Sequence, residues 1–102
     1  MRESSLVKKI QSYCKKNNIW CVKIWGGGYQ SGGIPDLILC VDGLFVAIET
    51  KVDDNKLSCL QEYNIKKIRQ SNGEAAEIRS MEEFMDLINK VKTFKKAYTL
   101  FK

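Results

Sequence analysis

Three charged residues at the ends of two apolar segments could together perform chemistry on a phosphate ester. The run IPDLILCVDGLFVAIETK, residues 34–51, contains two apolar segments. Asp36 lies near its start, and Glu49 and Lys51 lie at its end. Mg²⁺ is bound through one or two protein carboxylates and keeps several waters. Such an ion can activate a water and polarise a phosphoryl oxygen, and a nearby lysine can stabilise the developing charge. The residue types therefore indicate metal-assisted hydrolysis.

The Asp42-Gly43 pair between the two segments brings the acids together. It is a strong signal for a two-residue hairpin turn, and that register places Asp36 opposite Glu49. Opposed residues have Cβ atoms about 4.5–5.5 Å apart, and like charges there destabilise a sheet unless a cation compensates. A metal site would resolve the conflict. The alternative is that Asp36 merely follows a proline turn and Glu49 pairs with Lys51 on a solvated strand end.

The elements that must position these residues follow from periodicity and turn signals. The pattern predicts the order α-β-β-β-α-β-α, an α/β sheet layered with helices, in a single domain spanning residues 1–102. The predicted helices cover 3–17, 58–71 and 80–91, and the predicted strands cover 19–25, 36–41, 44–51 and 74–79. The glycine-rich stretch 26–33 is predicted to be a loop. Residues 92–102 are a basic, aromatic tail, and the sequence leaves open whether it packs on the domain or binds a partner. The inner face of the second helix is predicted to hold Leu60, Asn64, Ile65 and Ile68.

Composition narrows the class of function. The chain has a net charge of +5, which leans towards an anionic partner, and it has no histidine, which excludes Ser-His-Asp and Cys-His catalysis. The cysteines lack paired spacing and lie in apolar segments, so we expect buried free thiols in a reducing cytoplasm. They are Cys14, Cys21, Cys40 and Cys59. No apolar run is long enough to span a membrane.

The same stretch resembles a known nuclease signature. Residues 32–51 are similar to the PD-(D/E)XK motif, with PD at 35–36 and ETK at 49–51. The GIPD opening, the DG turn, the FVAIETK strand and the following Ser58-x-x-Gln61 resemble the VRR-NUC branch, in particular its small stand-alone phage type. The resemblance covers most of the chain, from residue 3 to about 91. It implies a restriction-endonuclease-like core with a mixed β-sheet flanked by helices.

The resemblance also implies an activity and a site. It implies that Asp36, Glu49 and the backbone carbonyl of Thr50 bind Mg²⁺ or Mn²⁺, and that Lys51 is the catalytic lysine. The implied protein is a metal-dependent deoxyribonuclease, a structure-selective endonuclease similar to Holliday-junction resolvases. Its implied partners are branched or structured DNA and a second copy of itself, in the cytoplasm of a phage host.

Two further residues match positions of the family, and each has a structural alternative. Glu3 extends the inward stripe of the first helix, where the family has an acid near the metal, but an acid in a first turn also favours the helix dipole. Gln61 matches a glutamine that orients the site. It also lies three residues after Ser58, which is the spacing of a capping box. We expect these two roles to compete for one side chain, with the site favoured.

Candidate nucleic-acid contacts rest on residue type alone. Lys23 could contact phosphate, and Tyr29 and Gln30 in the glycine-rich loop could stack on or hydrogen-bond to bases. That loop lacks the spacing of a P-loop or a dinucleotide fold. The leading rival function is a catalytically silent DNA-binding module with the same fold. A sequence-specific restriction endonuclease ranks last, since the chain looks too short for a separate recognition region.

Overall fold

The computed structural model describes residues 2–24 and 32–100, with side chains described through residue 96. The predicted order α-β-β-β-α-β-α is confirmed. The elements are α1 (Glu3–Lys16), β1 (Trp20–Lys23), β2 (Leu37–Val41), β3 (Leu44–Thr50), α2 (Cys59–Gln70), β4 (Glu74–Ile78) and α3 (Met81–Leu100). None of the helices in the described ranges is long and apolar enough to cross a membrane.

The four strands form one mixed sheet in the order β1-β2-β3-β4. β1, β2 and β3 are antiparallel neighbours, whereas β4 follows α2 and runs parallel to β3. The predicted β2–β3 register is confirmed down to its last pair, Leu37 with Ile48. The turn has φ of 51° at Asp42 and 85° at Gly43, the two positive angles of a type I′ turn. Strand β2 was predicted to begin at Asp36 but begins at Leu37, so Asp36 lies one residue before the strand.

Helices cover the two faces of the sheet unequally. The larger core lies between one face and helices α1 and α3, where Tyr13 meets Phe84 edge to face with ring centroids 5.5 Å apart. The smaller core lies under α2, where Ala47, Ile65 and Ala75 are buried. Because side chains alternate along a strand, each strand sends one set to each core. The buried side chains of β3 assign Ala47, and with it Glu49, to the α2 face.

Helix α3 continues past its predicted end near Val91 and reaches Leu100, so most of the expected tail is helical. The added residues contain no glycine or proline and are rich in good helix formers such as lysine, alanine and leucine. Phe94, three residues after the buried Val91, is 63% exposed. The extension therefore carries apolar surface beyond the core.

Two predictions about burial were wrong. Leu60 was expected on the inner face of α2 but is 44% exposed, since it lies against Gly33 while Ile65 packs on the sheet. The cysteines are free, as expected, yet only Cys14 is buried, whereas Cys40 and Cys59 are exposed. Cys40 lies on the part of the sheet that α2 leaves uncovered, and Cys59 is the first residue of α2.

Candidate active site

Asp36 is held across the strand ends by Thr50. The backbone N–H of Thr50 donates to Asp36 Oδ2 at 3.0 Å, and the Thr50 hydroxyl donates to the same oxygen at 2.5 Å. Thr50 is 1% exposed, so the hydroxyl has no competing water contact of consequence. Only the Thr50 carbonyl was predicted to act in the site, and this contact of its hydroxyl and amide was not predicted. The hairpin register places Thr50 one residue beyond the partner of Asp36, and this proximity was the sequence signal for the contact.

Glu49 is the buried acid of the site. It is 4% exposed, and its Oε1 accepts a hydrogen bond of 2.8 Å from Gln61 Nε2. Its Oε2 is buried and has no hydrogen-bond partner among the described residues. Burial and the negative charge of Asp36 raise the pKa of Glu49 to about 7, although Lys51 opposes them. The two predicted acids are thus close enough to repel each other, and the charge of Lys51 and a hydrogen bond from the Asp36 backbone offset the negative charge of Glu49 only in part.

Gln61 serves the helix and the site at once. The side-chain Oε1 of Gln61 accepts from the Ser58 backbone N–H at 2.8 Å, while the backbone N–H of Gln61 donates to Ser58 Oγ at 3.1 Å. Its Nε2 is left for Glu49. The expectation that the two roles compete was wrong, because a side-chain amide has its acceptor and its donor on different atoms. The capping box aims the amide nitrogen at the acid.

Glu3 and the 52–56 turn form the outer part of the site. Glu3 is half-buried at the start of α1, and its Oε1 accepts a long hydrogen bond of 3.5 Å from Asn55 Nδ2. Its charge raises the pKa of Glu49 further, as the smallest of several contributions. Arg79 braces the turn by donating to the carbonyl oxygens of Asp53, at 3.1 Å, and Asn55. No sequence signal pointed to Arg79, since the turn it contacts is distant along the chain.

The donor set suits a hard divalent cation bound by few protein ligands. Within residues 2–24 and 32–100, no three acidic, histidine or cysteine side chains come close enough to hold a metal ion together. Asp36 and Glu49 therefore form a pair, with Glu3 outside it. One or two carboxylates with several waters is the usual Mg²⁺ arrangement in such sites. A buried carboxylate oxygen without a partner, beside a second negative charge, is what a divalent cation would neutralise.

The remaining predicted residues are less closely connected with the acids. Lys51 donates its backbone N–H to the Ile78 carbonyl at 3.1 Å, and its charge acts on Glu49. Lys23 ends β1 opposite Leu37, on the α1–α3 face by alternation with the packed Cys21, so it lies on the other face from Glu49. Tyr29 and Gln30 lie outside the described residues.

Known proteins with this architecture were found by structure and not by sequence. No protein-family model matches the chain, and no curated protein does. A solved structure described as a VRR_NUC domain matches with a TM-score of 0.72 and 19% identity, over 85% of this chain and 94% of that one. Archaeoglobus fulgidus Hjc, a Holliday junction resolvase, matches with a TM-score of 0.58 and 17% identity, over 76% of this chain and 67% of that one. The predicted restriction-endonuclease-like fold is confirmed.

Proposed function

We propose that this chain is a metal-dependent nuclease that hydrolyses phosphodiester bonds in DNA. The observation that carries the proposal is the buried Oε2 of Glu49, which lies next to the Asp36 carboxylate and has no hydrogen-bond partner in the part of the chain that the structure describes. Two apposed acids destabilise a small domain and repel anionic DNA, so a surface that only binds DNA gains nothing from them. A site that receives a divalent cation does gain, since the cation removes both penalties. The net charge of +5 favours a polyanionic substrate.

Each residue of the site would have a distinct task. Asp36, Glu49 and the Thr50 carbonyl would hold Mg²⁺ or Mn²⁺, which supplies an activated water and a Lewis acid for the phosphate. The Thr50 hydroxyl and amide fix the Asp36 carboxylate, so that it need not reorganise when a ligand arrives. Gln61 occupies Oε1 of Glu49 and leaves Oε2 for the ligand.

Lys51 would stabilise the charge that develops on the attacked phosphate. The lysine is half-buried, and its attraction lowers the pKa of Glu49, so its ammonium group acts within the site. Removal of one preorganised donor to a developing oxyanion costs about 10²–10³ in rate at other active sites. Glu3 contributes negative charge and holds Asn55, and thereby supports the site from outside the acid pair.

The finer assignment is a structure-selective endonuclease that acts on branched DNA as a homodimer. Its support is the likeness to Hjc, whose description is that of a Holliday junction resolvase. A twofold dimer would present two identical sites to the two halves of a symmetric junction. The rival is a silent DNA-binding module, which predicts binding without cleavage.

Cleavage of a labelled DNA panel tests the proposal. The panel contains duplex, single strand, flap and four-way junction, each with Mg²⁺, Mn²⁺ or EDTA. We expect metal-dependent cutting by wild type, a loss of about 100-fold or more in Asp36→Asn, and unchanged rates in Glu62→Gln, a control at an exposed acid of α2. Wild type that binds the panel but cuts none of it with either metal would leave the silent module as the better account. Light scattering on the same samples measures the dimer.

A further inference from the structure

An exposed row of side chains crosses the sheet on the face that α2 only partly covers. The register pairs Trp20 with Cys40 and Cys40 with Phe45, so the three lie side by side on adjacent strands. Trp20 is 61% and Phe45 46% exposed, and Cys40 is also exposed. Contiguous exposed apolar residues often mark a binding surface, whereas single ones do not. The row is therefore a candidate binding surface.

The row lies on the same face of the sheet as the acid pair. Because side chains alternate along a strand, Phe45, Ala47 and Glu49 lie on one face of β3. Cys40 pairs with Phe45 and Trp20 pairs with Cys40, so both lie on that same face of the sheet. Phe45 and Glu49 are four positions apart along the strand, which is about 13 Å at 3.3 Å per residue. This is the length of about four stacked bases at 3.4 Å each.

The face between the row and the acids is covered along β3, where Ala47 is fully buried under α2. On β1 and β2 it is partly exposed: Val22 and Ile38 are half-buried neighbours in the register, and Ile38 packs against the Ala47 cluster. Beside Phe45 there is a cavity of about 420 Å³ whose lining includes Lys67 and Asn64 of α2. The surroundings of the row are therefore apolar, with a cationic side chain at their border.

We propose that Trp20 and Phe45 form a stacking platform for unpaired bases of DNA, on the face of the sheet that also carries the acid pair. The proposal rests on the proposed function for its choice of ligand. Single-strand binding proteins combine aromatic side chains, on which successive bases stack, with positive charge that follows the backbone. Bases inside a duplex already have both faces covered by their neighbours, so the platform selects DNA that is unpaired beside the cleavage point.

A second copy of the chain fits the row less well. A stable interface buries about 800 Å² per partner. A fully exposed aromatic side chain offers about 150–250 Å², so Trp20 at 61% and Phe45 at 46% exposure offer about 160–270 Å² together. The row alone is therefore too small for a dimer interface but is sufficient for one or two bases.

Binding of an unpaired oligonucleotide in EDTA tests the platform without any cleavage. The probe is a fluorescent oligothymidylate of about 15 nucleotides, within the range of known single-strand sites, compared with a duplex of equal length. Trp20→Leu keeps apolar bulk but removes the π face, and Trp20→Phe keeps a smaller one. Tyr63→Leu is the matched control, since Tyr63 is 56% exposed on α2. Phe45→Leu provides a second variant, and circular dichroism checks that each variant is folded.

We expect Trp20→Leu to weaken oligothymidylate binding about 5- to 100-fold, with Phe45→Leu weaker than wild type as well. Trp20→Phe should retain most of the affinity, and duplex binding and Tyr63→Leu should be unchanged. Wild type that does not bind the oligonucleotide, a Trp20→Leu that binds like wild type, or an equal loss for duplex would overturn the platform. So would a change in molar mass of Trp20→Leu without a change in binding, which would make the row a subunit contact.

The two proposals fail separately. If Trp20→Leu loses oligonucleotide binding while no protein cuts DNA with metal, the platform stands and the nuclease assignment falls. If Asp36→Asn abolishes cutting while Trp20→Leu binds normally, the nuclease stands and the platform falls.

Discussion

Replacing Glu49 by glutamine should make the metal-free protein more stable at pH 8. The variant keeps the shape of the side chain and the oxygen that accepts from Gln61, but it removes the buried charge beside Asp36. The pKa of Glu49 rises from its ordinary value of 4.5 to about 7. A tenfold change in acidity corresponds to about 1.4 kcal/mol, so ionised Glu49 costs the fold at most about 3.5 kcal/mol. Relaxation and water entry reduce this, and we expect a gain of about 1–3 kcal/mol in the free energy of unfolding.

The sign of the pH dependence follows from the raised pKa. The folded protein holds the Glu49 proton more tightly than the unfolded chain does, so this contribution is fully present below pH 4.5 and is lost as pH rises through about 7. The advantage of Glu49→Gln over wild type should therefore be largest at pH 8 and small near pH 4.5. Taking the difference between the two proteins cancels the other titrating groups.

Urea denaturation in EDTA at pH 5 and pH 8 measures this difference. Glu62→Gln is the control, because Glu62 is an exposed acid of α2 and surface changes are usually within about 0.5 kcal/mol. Added Mg²⁺ should stabilise wild type, by about 2.7 kcal/mol at 100 times its Kd, but not Glu49→Gln. A variant less stable than wild type at pH 8 would refute the uncompensated charge, and equal stabilisation of both proteins by Mg²⁺ would refute its role in the metal site.

Four other substitutions separate the remaining contacts. Thr50→Val should lower the free energy of unfolding by about 1.5–3 kcal/mol, because Asp36 loses a charge-assisted bond, and Thr50→Ser should restore stability and cleavage rate. Gln61→Glu should keep the cap but lose the bond to Glu49, so cleavage should fall while helix content by circular dichroism is kept. Lys51→Met should raise the Glu49 pKa above about 7 in carboxyl NMR of metal-free protein. Gly33→Ala should cost about 2 kcal/mol or more in urea denaturation, since φ is +87° and the new Cβ would lie 2.7 Å from Leu60 Cγ, whereas Gly32→Ala meets nothing nearer than 3.8 Å.

Features governed by neighbouring residues were predictable from the sequence. The Asp42-Gly43 turn sets the hairpin register through two adjacent positive φ angles, which is why the approach of Asp36 to Glu49 could be worked out by counting. The Ser58 cap is equally local, since both of its partners lie within one helical turn. In both cases the chemistry of a short segment decides the geometry.

Features that depend on packing between distant segments were not predictable. The double role of Gln61 requires α2 to lie against β3, and nothing within α2 encodes that distance. The parallel pairing of β4 with β3 and the brace from Arg79 to the 52–56 turn also join separate parts of the chain. Leu60 illustrates the same limit, because it and Asn64 both contact Gly33, a residue distant along the chain, and Leu60 remains 44% exposed there.

The single amide of Gln61 ties the first turn of α2 to the acid pair, and this makes the site sensitive to local unfolding. A helix end frays more readily than its centre, and each fraying event here would also release Glu49 Oε1. A cation that holds Glu49 should in turn hold Gln61 and the amides that follow Ser58. Amide hydrogen exchange in the first turn of α2 should therefore slow when metal binds, so that this turn reports site occupancy from outside the site.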